Sequence, residues 1–250
     1  MAGIRIVRVP ILPFGMVNCH LILGPHGCIV VDTGLPGSAA KIGRALRRHG
    51  RSYADIKLIV ITHAHVDHAG SAASLRALTG APIVAHQGDL RSYQQQEAMS
   101  FCPTGWFGRL FLKTGLILQP YQPFTPDILL AADQQLDLAP YGFDGRIRHT
   151  PGHTDGSISV ELADGQALVG DLIASGVLLG GLVRTGHAIR PPFEDDPHAT
   201  ARALQQLMEN GAEMFYMGHG GPLPAAEVQA HSDRLLALRM ERVKGIEPSS

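Results

Sequence analysis

Cysteine is scarce in this chain: Cys19, Cys28 and Cys102 are the only three, and no two stand in a Cys-x-x-Cys pair. An odd count without that spacing argues against a disulfide framework and against a thiolate zinc site, and it suits a reducing cytoplasm. Long apolar runs are missing too. The longest, Val177 to Val183, is interrupted by glycine and falls well short of the roughly eighteen apolar residues a membrane span needs. Arg5, Arg8, Pro10 and Pro13 break up the stretch from Met1 to Gly15, so no secretory segment is expected. Charge of one sign is also lacking. Lys and Arg number 21 against 22 Asp and Glu, a net charge of -1, which provides no field to gather a polyanion. Neither a nucleic-acid nor a membrane partner is expected.

What is present is an ordinary globular composition, 45% hydrophobic and 17% charged over 250 residues, enough to bury a core without staples. The expectation is one domain over 1–244 and a disordered tail over 245–250. A small-molecule partner fits best, and a homodimer is compatible. The first third alternates short β-branched runs with helical spacing: Ile4 to Val9, Cys19 to Leu23 and Cys28 to Val31 read as strands, then Ser38 opens a helix through Arg48. Lys57 to Ile61 reads as a buried strand, Ser71 to Thr79 as a helix closed by Gly80, and Pro82 to Ala85 as another strand. An aromatic-rich, helix-compatible insertion over about 90–125 interrupts the alternation.

The second half returns to strands at Ile147 to His149, Ser157 to Leu162 and Ala167 to Val169, and a loop then runs from about Ser175 to Asp195. Asp196-Pro197 opens a helix that Gly211 closes, Met214 to Met217 is the last strand, and a final helix is expected from Ala225 to about Val243. Two strands end in aspartate, Asp32 and Asp171, which hints at two related halves.

The informative stretch is Thr62-His63-Ala64-His65-Val66-Asp67-His68, directly after the buried strand. In extended chain His63 and His65 point to one side, because side-chain direction repeats every two residues, so they can share one ion. Asp67 and His68, released where the chain turns, can face a neighbouring position. His153, Asp171 and His219 stand in the same setting, a glycine-flanked loop after a strand. Five histidines and two carboxylates suit zinc, manganese or iron, and seven ligands exceed what one tetrahedral ion takes. Two divalent ions sharing a carboxylate, with Asp171 as the bridge, is the economical arrangement. The remaining histidines read as surface or core residues. His187 is set apart by its place in the loop after Asp171.

At these residues the sequence resembles the metallo-β-lactamase superfamily, whose signature is His-x-His-x-Asp-His followed by separate His, Asp and His ligands. The likeness extends to Asp32-Thr33-Gly34, Pro151-Gly152-His153-Thr154 and Gly218-His219-Gly220. It implies an α/β fold, an αββα sandwich of two mixed β-sheets flanked by helices, with the metals at one edge. It implies one ion on His63, His65 and His153, a second on Asp67, His68 and His219, and Asp171 with a hydroxide between them. Asp67 would also orient that hydroxide. His187, Trp106 and Phe107 are the expected substrate contacts, and Asp32 is expected to support a ligand from behind.

Within such a family, Asp171 argues against the dedicated antibiotic-degrading members, which commonly carry cysteine or serine there. Gly220-Gly221-Pro222 differs from the Glu-Tyr-Thr-like segment that follows the last histidine of glyoxalase II. RNA-processing members need a nucleic-acid-binding arm and flavodiiron proteins a flavin domain. What remains is a lactonase-like hydrolase of a small ester, lactone, thioester or amide. An iron-dependent persulfide or sulfur dioxygenase, a β-lactamase and a degenerate scaffold are the alternatives.

Overall fold

In β-rich segments of this chain, burial alternates between two different cores. Cys28 and Val30 join one apolar cluster while Ile29 and Val31 join another, and Leu58 and Val60 separate in the same way from Ile59 and Ile61. A strand apolar on both faces must lie between two layers. The computed structural model describes residues 3–97, 99, 101–180 and 183–238.

In chain order the strands are β1 (Arg5–Pro10), β2 (Asn18–Gly24), β3 (Gly27–Val31), β4 (Ile56–Val60), β5 (Ile83–His86), β6 (Ile128–Leu130), β7 (Leu136–Asp137), β8 (Gly145–His149), β9 (Ile158–Leu162), β10 (Gln166–Leu168), β11 (Ala174–Ser175), β12 (Ala188–Ile189), β13 (Met214–Tyr216) and β14 (Leu223–Pro224). The helices are α1 (Ala39–Arg48), α2 (Val66–Ala69), α3 (Ala72–Thr79), α4 (Leu90–Tyr93), α5 (Trp106–Lys113), α6 (Val177–Gly180), α7 (Pro197–Glu209) and α8 (Ala225–Leu236). One six-stranded sheet runs β1-β2-β3-β4-β5-β6 and the other β14-β13-β10-β9-β8-β7. Both are mixed: β3 to β6 are parallel neighbours in the first, and β10 is parallel to β13 in the second.

Three apolar clusters mark the layers. Ile42, Leu46 and Leu75 of α1 and α3 pack with Val30, Ile59 and Ile83 on the outer face of the first sheet. Ile29, Val31, Leu58 and Val60 meet Ile147, Ile158, Val160 and Leu168 between the sheets. Leu204, Leu207 and Val228 of α7 and α8 cover Ala167 and Phe215 on the far side. This is the αββα sandwich that the resemblance implies.

The two halves are also built alike around their aspartates. Asp32 follows β3 beside the parallel strand β4 that leads to His63, and Asp171 follows β10 beside the parallel strand β13 that leads to His219. The expected loop over 175–195 is not featureless: β11 and β12 pair antiparallel around the short helix α6. β6, β7 and β14 are two or three residues long, too short for any period to reveal them. Asp196 caps α7, accepting from the His198 and Ala199 amides at 2.8 and 2.9 Å. Ser38 precedes α1 without a side-chain cap. The expected end of the last helix near Val243 and the tail 245–250 lie outside the described residues. Among the described residues no helix is long and apolar enough to cross a membrane.

Candidate metal centre

β4 delivers the first ligand-type residues. The chain bends at Ala64 and is extended again at His65, whose φ of -62° and ψ of 148° precede α2, and this brings the His63 and His65 rings together. His63 Nε2 and His65 Nδ1 stand 3.1 Å apart, and His153 Nε2, from the loop after β8, is 3.1 Å from each. α2 then turns Asp67 and His68 toward the end of the second sheet. Asp67 Oδ2 lies 3.4 Å from His219 Nε2 and 3.8 Å from His68 Nε2. Asp171 stands between the groups: Oδ1 is 3.4 Å from His68 Nε2, while Oδ2 is 2.9 Å from His219 Nε2 and 3.9 Å from His153 Nε2. All seven residues named from the sequence thus meet, and the sets His63–His65–His153, His63–His68–Asp171 and Asp67–His68–His219 each have ligand atoms close enough to hold an ion.

The outer hydrogen bonds aim the lone pairs inward. The Thr62 hydroxyl donates to Asp32 at 2.9 Å, so its 3.0 Å contact with His63 Nδ1 uses the ring N–H and leaves Nε2 bare. His68 Nδ1 donates to Asp32 Oδ2 at 2.8 Å, and His219 Nδ1 donates to the Met16 carbonyl, so Nε2 is the nitrogen each ring turns inward. Asp32 holds the left-handed conformation, φ 61°, and also accepts from the Thr62 amide at 2.8 Å. It meets His68 on the Nδ1 side of the ring, away from Nε2.

A divalent cation fits this donor set. His68 Nε2, Asp67 Oδ1 and Asp171 Oδ1 are buried without a protein partner, which is costly unless something positive sits among them. Nitrogens on one tetrahedral zinc at about 2.05 Å are roughly 3.3 Å apart, close to the spacing of the three histidines. Burial, reinforced by neighbouring imidazoles, holds His63 and His65 well below the ordinary histidine range, and burial brings His153 down to about 4. Burial also works against charge on His68 and His219, yet the Asp171 and Asp67 carboxylates, with Asp32 at His68, raise both. Asp171 is held well below the carboxylate range by His219 and His68 despite its burial. The three-histidine group is therefore ready to ligate at neutral pH, whereas the second group must release protons first.

A stability consequence follows for the metal-free protein. Histidines with depressed values stabilise the fold above about pH 6.5 and withdraw that stability as pH falls through their folded values, about 4 for His153 and about 3 for the buried His20. His68 and His219 act in the opposite sense, as do the carboxyls that burial raises, Asp89 to about 6 together with Asp195 and Glu194; among the histidines the depressed set, His63, His65, His153, His20 and His231, outnumbers the raised pair. The urea midpoint of chelator-treated protein is expected to be lower at pH 5 than at pH 7; an equal or higher midpoint at pH 5 would contradict this electrostatic description.

A family model described as the metallo-beta-lactamase superfamily matches residues 12–219 of the chain. The chain belongs to that superfamily. The probable metallo-hydrolase YflN of Bacillus subtilis is 27% identical over 214 residues, covering 80% of this chain and 77% of that protein. A hydroxyacylglutathione hydrolase of Anaeromyxobacter dehalogenans is 27% identical over 161 residues, 64% of this chain and 48% of that protein. The crystal structure of a metallo-beta-lactamase family protein from Thermus thermophilus aligns with a TM-score of 0.64 at 27% identity, covering 94% of this chain and 78% of that one. As a metallo-beta-lactamase superfamily member the chain is a metal-dependent hydrolase, and its clustered histidines and aspartates are what a divalent metal requires.

The expected substrate contacts are placed differently from the ligands. His187 is exposed and lies 3.7 Å from Glu227 of α8. Trp106, 75% exposed, packs on Phe107, and a row of rings through Phe111 leads to Phe193. The residues that border the centre are Phe101, stacked on His65 at 4.9 Å and 17°, and Phe193, which meets both. A cavity of 130 Å³ beside His65 is lined by Val66, Met99, Phe101, Ile117 and Leu118. Sequence reasoning passed over Phe193, Thr62, the Met16 carbonyl and Asp89. Asp89 carried a usable signal, since it follows β5 as the ligands follow their strands.

Asp32 offers a direct check. Asp32→Asn tolerates the left-handed backbone but removes the charge opposite His68. It is expected to weaken metal binding by about 10–100-fold, as loss of an outer partner usually does. Chelator competition measures this; wild-type affinity would contradict the role.

Proposed function

We propose that the protein holds two divalent ions, zinc in the first instance, with manganese or iron as the other choices, and hydrolyses a small ester, lactone, thioester or amide. The supporting observation is one buried cluster in which five imidazoles and two carboxylates converge and three inward-facing atoms lack any protein partner. His63, His65 and His153 would hold one ion and Asp67, His68 and His219 the other, with Asp171 shared. The donor set is nitrogen and oxygen without a thiolate, which suits these metals. When bound, paired divalent cations draw the pKa of a shared water toward neutrality and polarise the attacked carbonyl.

The chain's own residues supply the rest. Asp67, whose Oδ1 is free of other partners, would orient the attacking water and accept its proton. Thr62, Asp32 and the Met16 carbonyl keep the imidazoles fixed, so their rings need not reorganise during turnover. Phe101 and Phe193 shield His65 and present an apolar wall to a substrate, which makes them better placed than Trp106, Phe107 or His187 to contact it. The carboxylate at Asp171 supports a hydrolase outside the dedicated antibiotic-degrading group. The likeness to a hydroxyacylglutathione hydrolase supports acyl chemistry, while Gly220-Gly221-Pro222 gives no support to a glutathione substrate.

The test is a screen of metal-reconstituted protein against lactones, thioesters, β-lactams and phosphodiesters. Turnover of lactones, esters or thioesters is expected, abolished in His65→Ala. Turnover confined to β-lactams, or oxygen uptake with a persulfide by the iron form, would overturn the reading.

A further inference from the structure

Asp89 follows β5 and directly precedes α4, the position from which an aspartate ordinarily caps a helix, yet its side chain makes no bond to that helix. The carboxylate, only 4% exposed, reaches across to two other loops. Oδ2 accepts from the Ala64 amide at 2.9 Å and from the Thr154 hydroxyl at 3.0 Å, and Oδ1 accepts from the Gly156 amide at 3.0 Å. Ala64 is the residue between His63 and His65, and Thr154 follows His153. One buried anion therefore holds backbone or side chain adjoining all three histidines, which arrive from opposite sheets. The contact is close by design of the loops: a Cβ at Gly156 would come within 2.5 Å of Asp89 Cγ, so only glycine admits the carboxylate there. Tyr121 completes the grip, its hydroxyl donating to the Ala64 carbonyl at 2.9 Å. The residue that carries both imidazoles of the His-x-His pair on either side is thus fixed through its N–H and its C=O.

We propose that Asp89 is the positioning residue of the three-histidine group, joining the loop of His63 and His65 to the loop of His153 and setting the spacing of their nitrogens. The inference rests on reading those histidines as ligands of one ion. Hydrogen bonds to a charged, buried acceptor are among the stronger ones in proteins, and three of them converge here. Releasing them frees the Ala64 peptide to rotate and the two loops to part. In the second group His68 is held by Asp32 and His219 by the Met16 carbonyl instead, so loss of Asp89 acts on one ion and spares the other.

The experiment is a cobalt(II) titration with chelator competition on full-length wild type, Asp89→Asn and Thr154→Val, together with melting curves of the metal-free forms. Asp89→Asn is expected to weaken one of the two ions by about 10–100-fold, with an altered visible cobalt spectrum, while the other ion keeps its wild-type affinity; the metal-free melting temperature falls as well, because three buried donors lose a charged acceptor. Thr154→Val, which removes one of the three donors, should produce the same selective change in smaller measure. Wild-type affinity for both ions in Asp89→Asn would overturn the proposal, as would equal weakening of both ions. If Asp89→Asn does not fold, Thr154→Val decides, and unchanged affinity there overturns it. Wild-type protein that takes up a single ion would sink the two-ion reading but leave the Asp89 proposal standing on the difference between variant and wild type.

Discussion

Asp171→Ala is expected to lower kcat/KM by on the order of 10³-fold or more, beyond the 10–100-fold that a lost outer contact costs. Asp171 lies within 4 Å of nitrogens from both halves of the centre, at 2.9 Å from His219, 3.4 Å from His68 and 3.9 Å from His153. In the proposed two-ion centre, removing it would take away the shared carboxylate and the charge that offsets the second cation. It also leaves His68 and His219 facing an apolar gap. Kinetics and metal content of the purified variant are the readouts. Less than a tenfold loss, with wild-type metal content, would show that Asp171 is not the bridge.

Gly218→Ala is expected to damage the site almost as badly without touching a ligand. A Cβ there would fall well inside contact distance of both His68 Cε1 and Asp171 Oδ1. Neither neighbour can yield, because both are buried and His68 is tied to Asp32. The backbone cannot shift either, since the Gly218 amide donates to Gly170 at 2.9 Å and its carbonyl accepts from the Asn18 amide at 2.8 Å. Overpacking of this kind costs about 1–3 kcal/mol, and here it falls on the spacing between the second-ion ligands. A lower urea midpoint and loss of one metal per chain are the expected results. A variant with full metal content and unchanged stability would mean that the loop is looser than its hydrogen bonds indicate.

Much of this centre is written locally in the chain. The His63 to His68 run is readable because its ligand-type side chains lie close together along the chain. His153, Asp171 and His219 share a strand-then-glycine setting, and Asp32 stands out through its likeness to Asp171. The layers are legible for a similar reason: runs such as Cys28 to Val31 are apolar on both faces. The long-range contacts of other residues have no local signature. Asp89 meets partners 25, 65 and 67 positions away, and nothing in its neighbours announces them. Phe193 reaches His65 only because the chain after β12 returns past Cys102, whose carbonyl accepts from the Glu194 amide. His187 sits in the expected loop but turns to Glu227, a partner on a helix that sequence spacing could not bring near.

In the proposed centre, seven buried side chains hold two ions around one shared carboxylate. Elemental analysis of protein reconstituted with zinc or manganese and freed of loosely bound metal tests it most directly. About two ions per chain are expected, both lost on chelation and regained on readdition; one ion or none would rule out the two-ion centre.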